Sequence, residues 1–216
     1  MTNVAEVLET PLPKQARSRA RRAALIEHGV GLLERCEPDE FSIAEITEAL
    51  GYSTGSFYSY FADKEAYFIA IQEWVNAELE DDFNRTVASE RLANADPVAR
   101  LAACVNFAIA YFRRRTGVIR SALRYERRIP QGWAPNRDRT RRIVEAATNG
   151  LPDNDKERLE FALQLAFGLL VNALLHDPGP LRLNDKDLGL RIVGALGQFL
   201  EHGSLPAIDG GQRGST

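Results

Sequence analysis

Between Leu159 and Leu175 the chain is apolar almost without interruption, through Phe161, Ala162, Leu163, Leu165, Ala166, Phe167, Leu169, Leu170, Val171, Ala173, Leu174 and Leu175. There is no strand-like alternation, so the segment reads as a helix that is apolar all round. Such a helix must be covered on every side. A chain of 216 residues can cover one side with its own core. The other side is then left for a partner subunit, unless a single subunit buries the whole helix. The longest apolar stretch, Leu165 to Leu175, contains Asn172. It falls short of the ~20 residues a membrane span needs. Residues 1–13 lack the basic start and apolar run of a secretory signal. The expected location is therefore the cytoplasm, with no membrane partner.

The rest of the chain is also patterned as helices. An amphipathic helix is predicted over Gln15–Cys36 and closed by Pro38. Further helices are predicted over Trp74–Ala93, Pro97–Arg115, Val118–Arg127, Arg137–Thr148, Lys156–His176 and Lys186–Glu201. Proline and glycine breakers lie between them, as at Asp96-Pro97, Gly117 and Gly150-Leu151-Pro152. Residues 1–13 read as a flexible arm and 203–216 as a disordered tail. The expected class is all-α: a helix-turn-helix domain over 14–62, then a helical domain over 63–202. Cys36 and Cys104 have no partner motif, and His28, His176 and His202 show no metal-ligand spacing. No metal or cofactor is expected. With no nucleophile–base pair and no phosphate-binding glycine loop, an enzyme is the weaker rival.

The segment 42–65 carries the most specific local signals. Ser42-Ile43-Ala44-Glu45 is a capping box, in which the hydroxyl caps a free backbone N–H while Glu45 reaches back. Its helix runs to Leu50 and buries Ile43, Ile46 and Leu50. Gly51 then allows a left-handed turn. Ser53 or Thr54 opens a second short helix reaching Phe61, and Asp63 caps a longer one. Phe57 and Phe61, four apart, should face inward. Two short helices around a glycine turn, after a longer helix, form a helix-turn-helix layout.

In detail, SIAEITEALGYSTGSFYSYFADKE resembles the DNA-binding signature of the TetR family of repressors. The matching positions are Ser42, Ile46, Gly51, Ser53, Gly55, Ser56, Phe57, Tyr58, Tyr60, Phe61, Lys64 and Glu65. Thr47 departs from the family's usual alanine; being small, it should shift the packing only slightly. The resemblance implies a double-stranded DNA operator as partner. Thr54, Gly55, Ser56 and Ser59 would then meet base edges, while Tyr58, Tyr60, Lys64, Ser42 and Ser53 meet the backbone or support the tip. Net charge is only −3 in sign against nucleic acid. Even so, Lys14, Arg17, Arg19, Arg21 and Arg22 form a local acid-free cluster, and Arg17 and Arg21 are expected to reach phosphate. No Lys or Arg lies between Gly51 and Ala62, so the commonest guanine contact is unavailable to the second helix.

The resemblance further implies a homodimer, with a four-helix interface built from the last two helices. The expected contacts are Leu163, Leu170, Leu174, Val193, Leu196 and Leu200. Two heads would read a roughly palindromic site. Family members usually enclose a small-molecule effector among the middle helices, and the residues expected to line such a pocket are Phe107, Tyr111, Leu123, Trp133, Phe167 and Asn172. A dimeric DNA-binding protein with no effector is the alternative. Residues 113–142 hold eleven arginines against Glu126 and Asp138. They form either a solvated face, partly paired with the acidic run Glu78, Glu80, Asp81 and Asp82, or a site for an anionic effector.

Overall fold

A computed structural model describes residues 14–87, 92, 94–125, 134–177 and 179–203. Among them the chain forms nine α-helices, one short 3-10 turn and no strand. The helices are α1 (Lys14–Leu33), α2 (Ile43–Ala49), α3 (Thr54–Tyr58), α4 (Lys64–Thr86) and α5 (Pro97–Arg114). They continue with α6 (Thr116–Tyr125), α7 (Ala134–Thr148), α8 (Asp153–Leu175) and α9 (Leu188–His202). The chain divides into two compact units. One takes the residues up to Asn76 and the segment from Gly117; the other takes Ala77–Thr116 and the rest.

In the first unit the local chemistry fixes each helix start. Ser42 Oγ accepts from Glu45 N at 3.2 Å, and Ser42 N donates to Glu45 Oε2 at 2.6 Å, closing the capping box. These bonds also hold the Glu45 carboxyl below its ordinary range. Gly51 takes φ +66° and turns the chain out of α2. Ser53 then caps α3 by accepting from Ser56 N at 3.2 Å, and Asp63 caps α4 by accepting from Ala66 N at 2.7 Å. Replacing Ser42 with alanine is expected to cost about 1 kcal/mol, read as a lower thermal midpoint. An unchanged midpoint would show that the box contributes nothing.

The core of this unit is aromatic. Phe57, Phe61 and Tyr67 are all buried, with ring centroids 5.0 to 5.2 Å apart. Such tilted and edge-on pairs add to the apolar area they bury. Tyr67 donates its hydroxyl to Leu25 O at 2.6 Å, which satisfies the one polar atom that burial would otherwise strand. Ile46 is fully buried, while Ile43 and Leu50 are half-buried. Thr47 is also buried and spends its hydroxyl on Ile43 O and Ala44 O, at 3.0 Å each. α6 lies against the end of α1: Glu34 accepts from Gly117 N at 2.8 Å, and Arg124 pairs with Glu37 at 2.6 Å.

In the second unit α5 packs against α8 and α9, and α8 also against α7. Asp96 caps α5 by accepting from Ala99 N at 2.8 Å, with Pro97 in the first turn, where its missing N–H costs nothing. Arg100, only 2% exposed, donates to Ala147 O at 3.1 Å and Asn149 O at 2.7 Å. Those carbonyls at the end of α7 have no helical partner of their own.

α8 is long and apolar enough, by length and composition, to cross a membrane. The apolar stretch Leu165–Leu175 alone is shorter than that, and the whole helix agrees closely with the predicted Lys156–His176. The residues expected at a dimer interface lie at different depths in the subunit. Leu170, Leu174, Leu196 and Leu200 are buried within the chain itself, and Leu163 and Val193 are half-buried. α5 packs against both helices. The outward side of α8 shows Phe161, Leu165, Phe167 and Leu169, each about two-fifths exposed, and α9 shows Leu190, which is 77% exposed. Added Cβ atoms at Gly168 and Gly194 would meet nothing within 4 Å, so both glycines also face open space.

Candidate nucleic-acid interface

α3 is five residues long and sharply two-sided. Phe57 holds it to the core, while Thr54, Gly55, Tyr58 and Ser59 are exposed, Tyr58 by 53%. Thr54 and Tyr58, one turn apart, share a face. Ser53 Oγ is turned back onto Ser56 N, and Ser59 donates its proton to Ser56 O at 2.6 Å. Ser56 is half-buried and Ser42 is exposed within its capping box. The hydroxyls of Thr54, Ser56 and Tyr58 have no bonding partner among the described residues.

Tyr60 differs from Tyr58. It is half-buried, and its hydroxyl accepts from Ser18 Oγ of α1 at 3.2 Å. Arg17, Arg19, Arg21 and Arg22 are exposed along the start of α1. The Arg21 guanidinium lies 5.8 Å from the Tyr52 ring centroid and Arg22 lies 5.6 Å from that of Phe61. Lys64 is half-buried. Its ammonium donates to Phe41 O and sits 4.6 Å from the Phe41 ring centroid. It thus ties the start of α4 to the residue before the capping box. The sequence pointed to the tip but not to these supports: Ser18, Tyr52 and Phe41 lie outside the short motif or match no special residue type within it.

The residues expected to line an effector pocket differ in burial. Phe107 is half-buried, edge-on to Phe83 at 5.4 Å; Tyr111 is buried. Phe167 is 39% exposed and edge-on to Phe112 at 5.9 Å, and Asn172 is exposed. Leu123 belongs to the first unit, and Trp133 lies outside the described residues. Most described arginines of 113–142 are engaged. Arg114 reaches Asp82 at 2.5 Å, Arg115 reaches Glu78 at 2.6 Å, and Arg142 and Arg139 reach Glu80 at 2.9 and 3.5 Å. The bond from Arg142 holds the Glu80 carboxyl below its usual range, and that from Arg114 does the same for Asp82. Arg113 spends its donors on Leu183 O and Asp185 O at 2.8 and 2.7 Å. Arg127 and Arg128 lie outside the described residues. Among the described residues, no group of three or more His, Cys, Asp or Glu side chains is placed to hold a metal.

Both cysteines are free thiols. Burial pushes Cys104 up to about 12, and Cys36 is raised, first by burial and then by Glu40. A thiolate is the reactive species, so both should be sluggish at neutral pH. A thiol reagent is expected to modify the native protein far more slowly than the denatured one. Equal rates would contradict the packing around Cys104.

Residues 25–71 match the family model for bacterial regulatory proteins of the tetR family. That stretch runs from the second half of α1 through the motif into α4. The helix-turn-helix belongs to the tetR family. A crystal structure of a TetR transcriptional regulator from Rhodococcus sp. RHA1 is similar in fold, with a TM-score of 0.53 and 20% identity. The match covers 88% of this chain and 100% of that one. No curated protein matches the sequence. The tetR family is one of transcriptional regulators that bind DNA, not of enzymes. This chain shares that structure's fold, and its described residues are helical with no strand.

Proposed function

We propose that this tetR-family regulator is a homodimeric repressor that reads a palindromic operator with two copies of α3. The observation that carries the reading is the division of α3 into a buried Phe57 side and an open side bearing Thr54, Gly55 and Tyr58. A helix that served only to fill the core would not leave Thr54 and Tyr58 open. Arg17, Arg19, Arg21 and Arg22 supply cations beside it, where release of counterions from phosphate drives binding. The exposed side of α8 and α9 supports the dimer. It is apolar and carries the small residues Gly168, Gly194 and Ala195, so the facing helices of a second copy can come close. Gln164 and Asn172 on the same side favour a protein partner over lipid. With a DNA target, we assign the protein to the cytoplasm.

We propose further that a small-molecule effector releases the operator by binding better to a state in which the two heads no longer match it. The partly buried Phe107, Ile143 and Leu163, packed around Phe83, Val87, Cys104 and Ala147, support an apolar contact surface for it. The paired arginines weigh against an anionic effector. A second reading, a dimeric regulator without an effector, is favoured by the outward placement of Phe167 and Asn172.

Selection of bound duplexes from random DNA tests the first proposal. An inverted repeat should emerge, and its binding should weaken steeply with added salt. A single unrepeated site, or no enrichment, would contradict it. Screening compounds for release of the selected duplex separates the two readings of control.

A further inference from the structure

The open face of α3 is short of the groups that usually read guanine. No Lys or Arg occurs between Gly51 and Ala62. Three cations on neighbouring helices rest on aromatic rings: Arg21 on Tyr52, Arg22 on Phe61 and Lys64 on Phe41. The hydroxyls are also unequal. Ser53 points its oxygen back at Ser56 N, and Ser59 commits its proton to Ser56 O. Each therefore keeps only part of its hydrogen-bonding capacity. Thr54 and Tyr58 keep all of theirs, stand one turn apart on the same face and are both exposed. Both also present apolar surface, the threonine methyl and the tyrosine ring edge. In the major groove the apolar group available to such surfaces is the C5-methyl of thymine.

We propose that Thr54 and Tyr58 are the specificity-determining residues of this regulator, and that they read thymine methyl groups rather than a guanine edge. The inference rests on the proposed reading of DNA by α3 and names what that face selects. Ser42, Ser53, Ser59 and Tyr60 then shape and hold the reading face, and Thr54 sets which base pair it accepts.

The test uses the full chain and a duplex selected by it from random DNA. Each thymine of the half-site is replaced in turn by deoxyuridine, which keeps every hydrogen-bonding group and lacks only the methyl. The wild type is expected to lose roughly fourfold in affinity at one or two positions, the worth of one buried methyl. Thr54→Ser, which keeps the hydroxyl and removes the methyl, should show no further loss at one of those positions. Thr54→Val, which keeps methyls and removes the hydroxyl, should retain the loss. The proposal is overturned if no uracil substitution weakens the wild type. It is equally overturned if Thr54→Ser keeps every penalty, or if the largest base dependence is a guanine whose effect Thr54 and Tyr58 variants leave unchanged. Those results leave DNA reading by α3 standing, whereas failure to enrich any sequence overturns that reading and this one together.

Discussion

On the proposed dimer, Leu165→Glu is expected to give a monomer and to lower affinity for the proposed two-site operator by about a hundredfold. Leu165 is 42% exposed on α8, beside Gly168 and within the same outward side as Phe161. On a solitary subunit a charge there stays in water, and a surface change of this kind alters stability by no more than about 0.5 kcal/mol. In a dimer closed over this side the two-fold axis would bring two new carboxylates into one apolar contact, where unpaired charge is costly. Losing the link between heads removes the gain from binding both half-sites at once, which accounts for the hundredfold. Sedimentation should show half the mass, with helical content and thermal midpoint of the subunit preserved. A variant that sediments as the wild type would place the interface elsewhere.

Gly117→Ala is expected to destabilise the first unit by about 3 kcal/mol, at the upper end of what overpacking costs. A Cβ at Gly117 would lie 1.9 Å from Leu33 O, 2.5 Å from Leu33 C and 2.6 Å from Glu34 Cα. All three are backbone atoms, so no rotamer change relieves the clash; α6 must move off the end of α1. That shift also breaks the bond from Gly117 N to the Glu34 carboxylate. Gly31→Ala is the matched control. Gly31 sits in α1 with open space where its Cβ would go, and alanine there should gain about 0.5 to 1 kcal/mol through helix propensity. Thermal unfolding of the two variants should therefore move in opposite directions. A Gly117→Ala protein as stable as the wild type would show that α6 does not dock on α1 as described.

Local signals carried most of what the sequence revealed. The capping box at Ser42, the positive φ at Gly51 and the caps at Ser53 and Asp63 each depend on residues within four positions of one another. Such chemistry is complete in the chain itself. The inward set of Phe57 and Phe61 was legible for the same reason, since spacing alone puts both on one side of a short helix. What could not be read was long-range. α8 is apolar on every side, so periodicity gave no means of choosing which leucines face α5 and which face outward. The residues expected at the interface include both buried positions, such as Leu170 and Leu174, and half-buried ones, Leu163 and Val193. Gly117 stood out only as a breaker, because its close neighbours Leu33 and Glu34 are more than eighty positions away. Likewise the arginines of α5 and α7 found their acids on α4, across the sequence rather than along it.

The central claim, that two copies of α3 lay their open faces into DNA, is tested most directly by a hydroxyl-radical footprint. It should be taken on the selected duplex with the wild type and with Tyr58→Ala. The account predicts two protected patches on one face of the duplex, centred about one helical turn or a multiple of it apart, both weakened by the substitution. A single continuous patch, or protection identical in the two proteins, would contradict it.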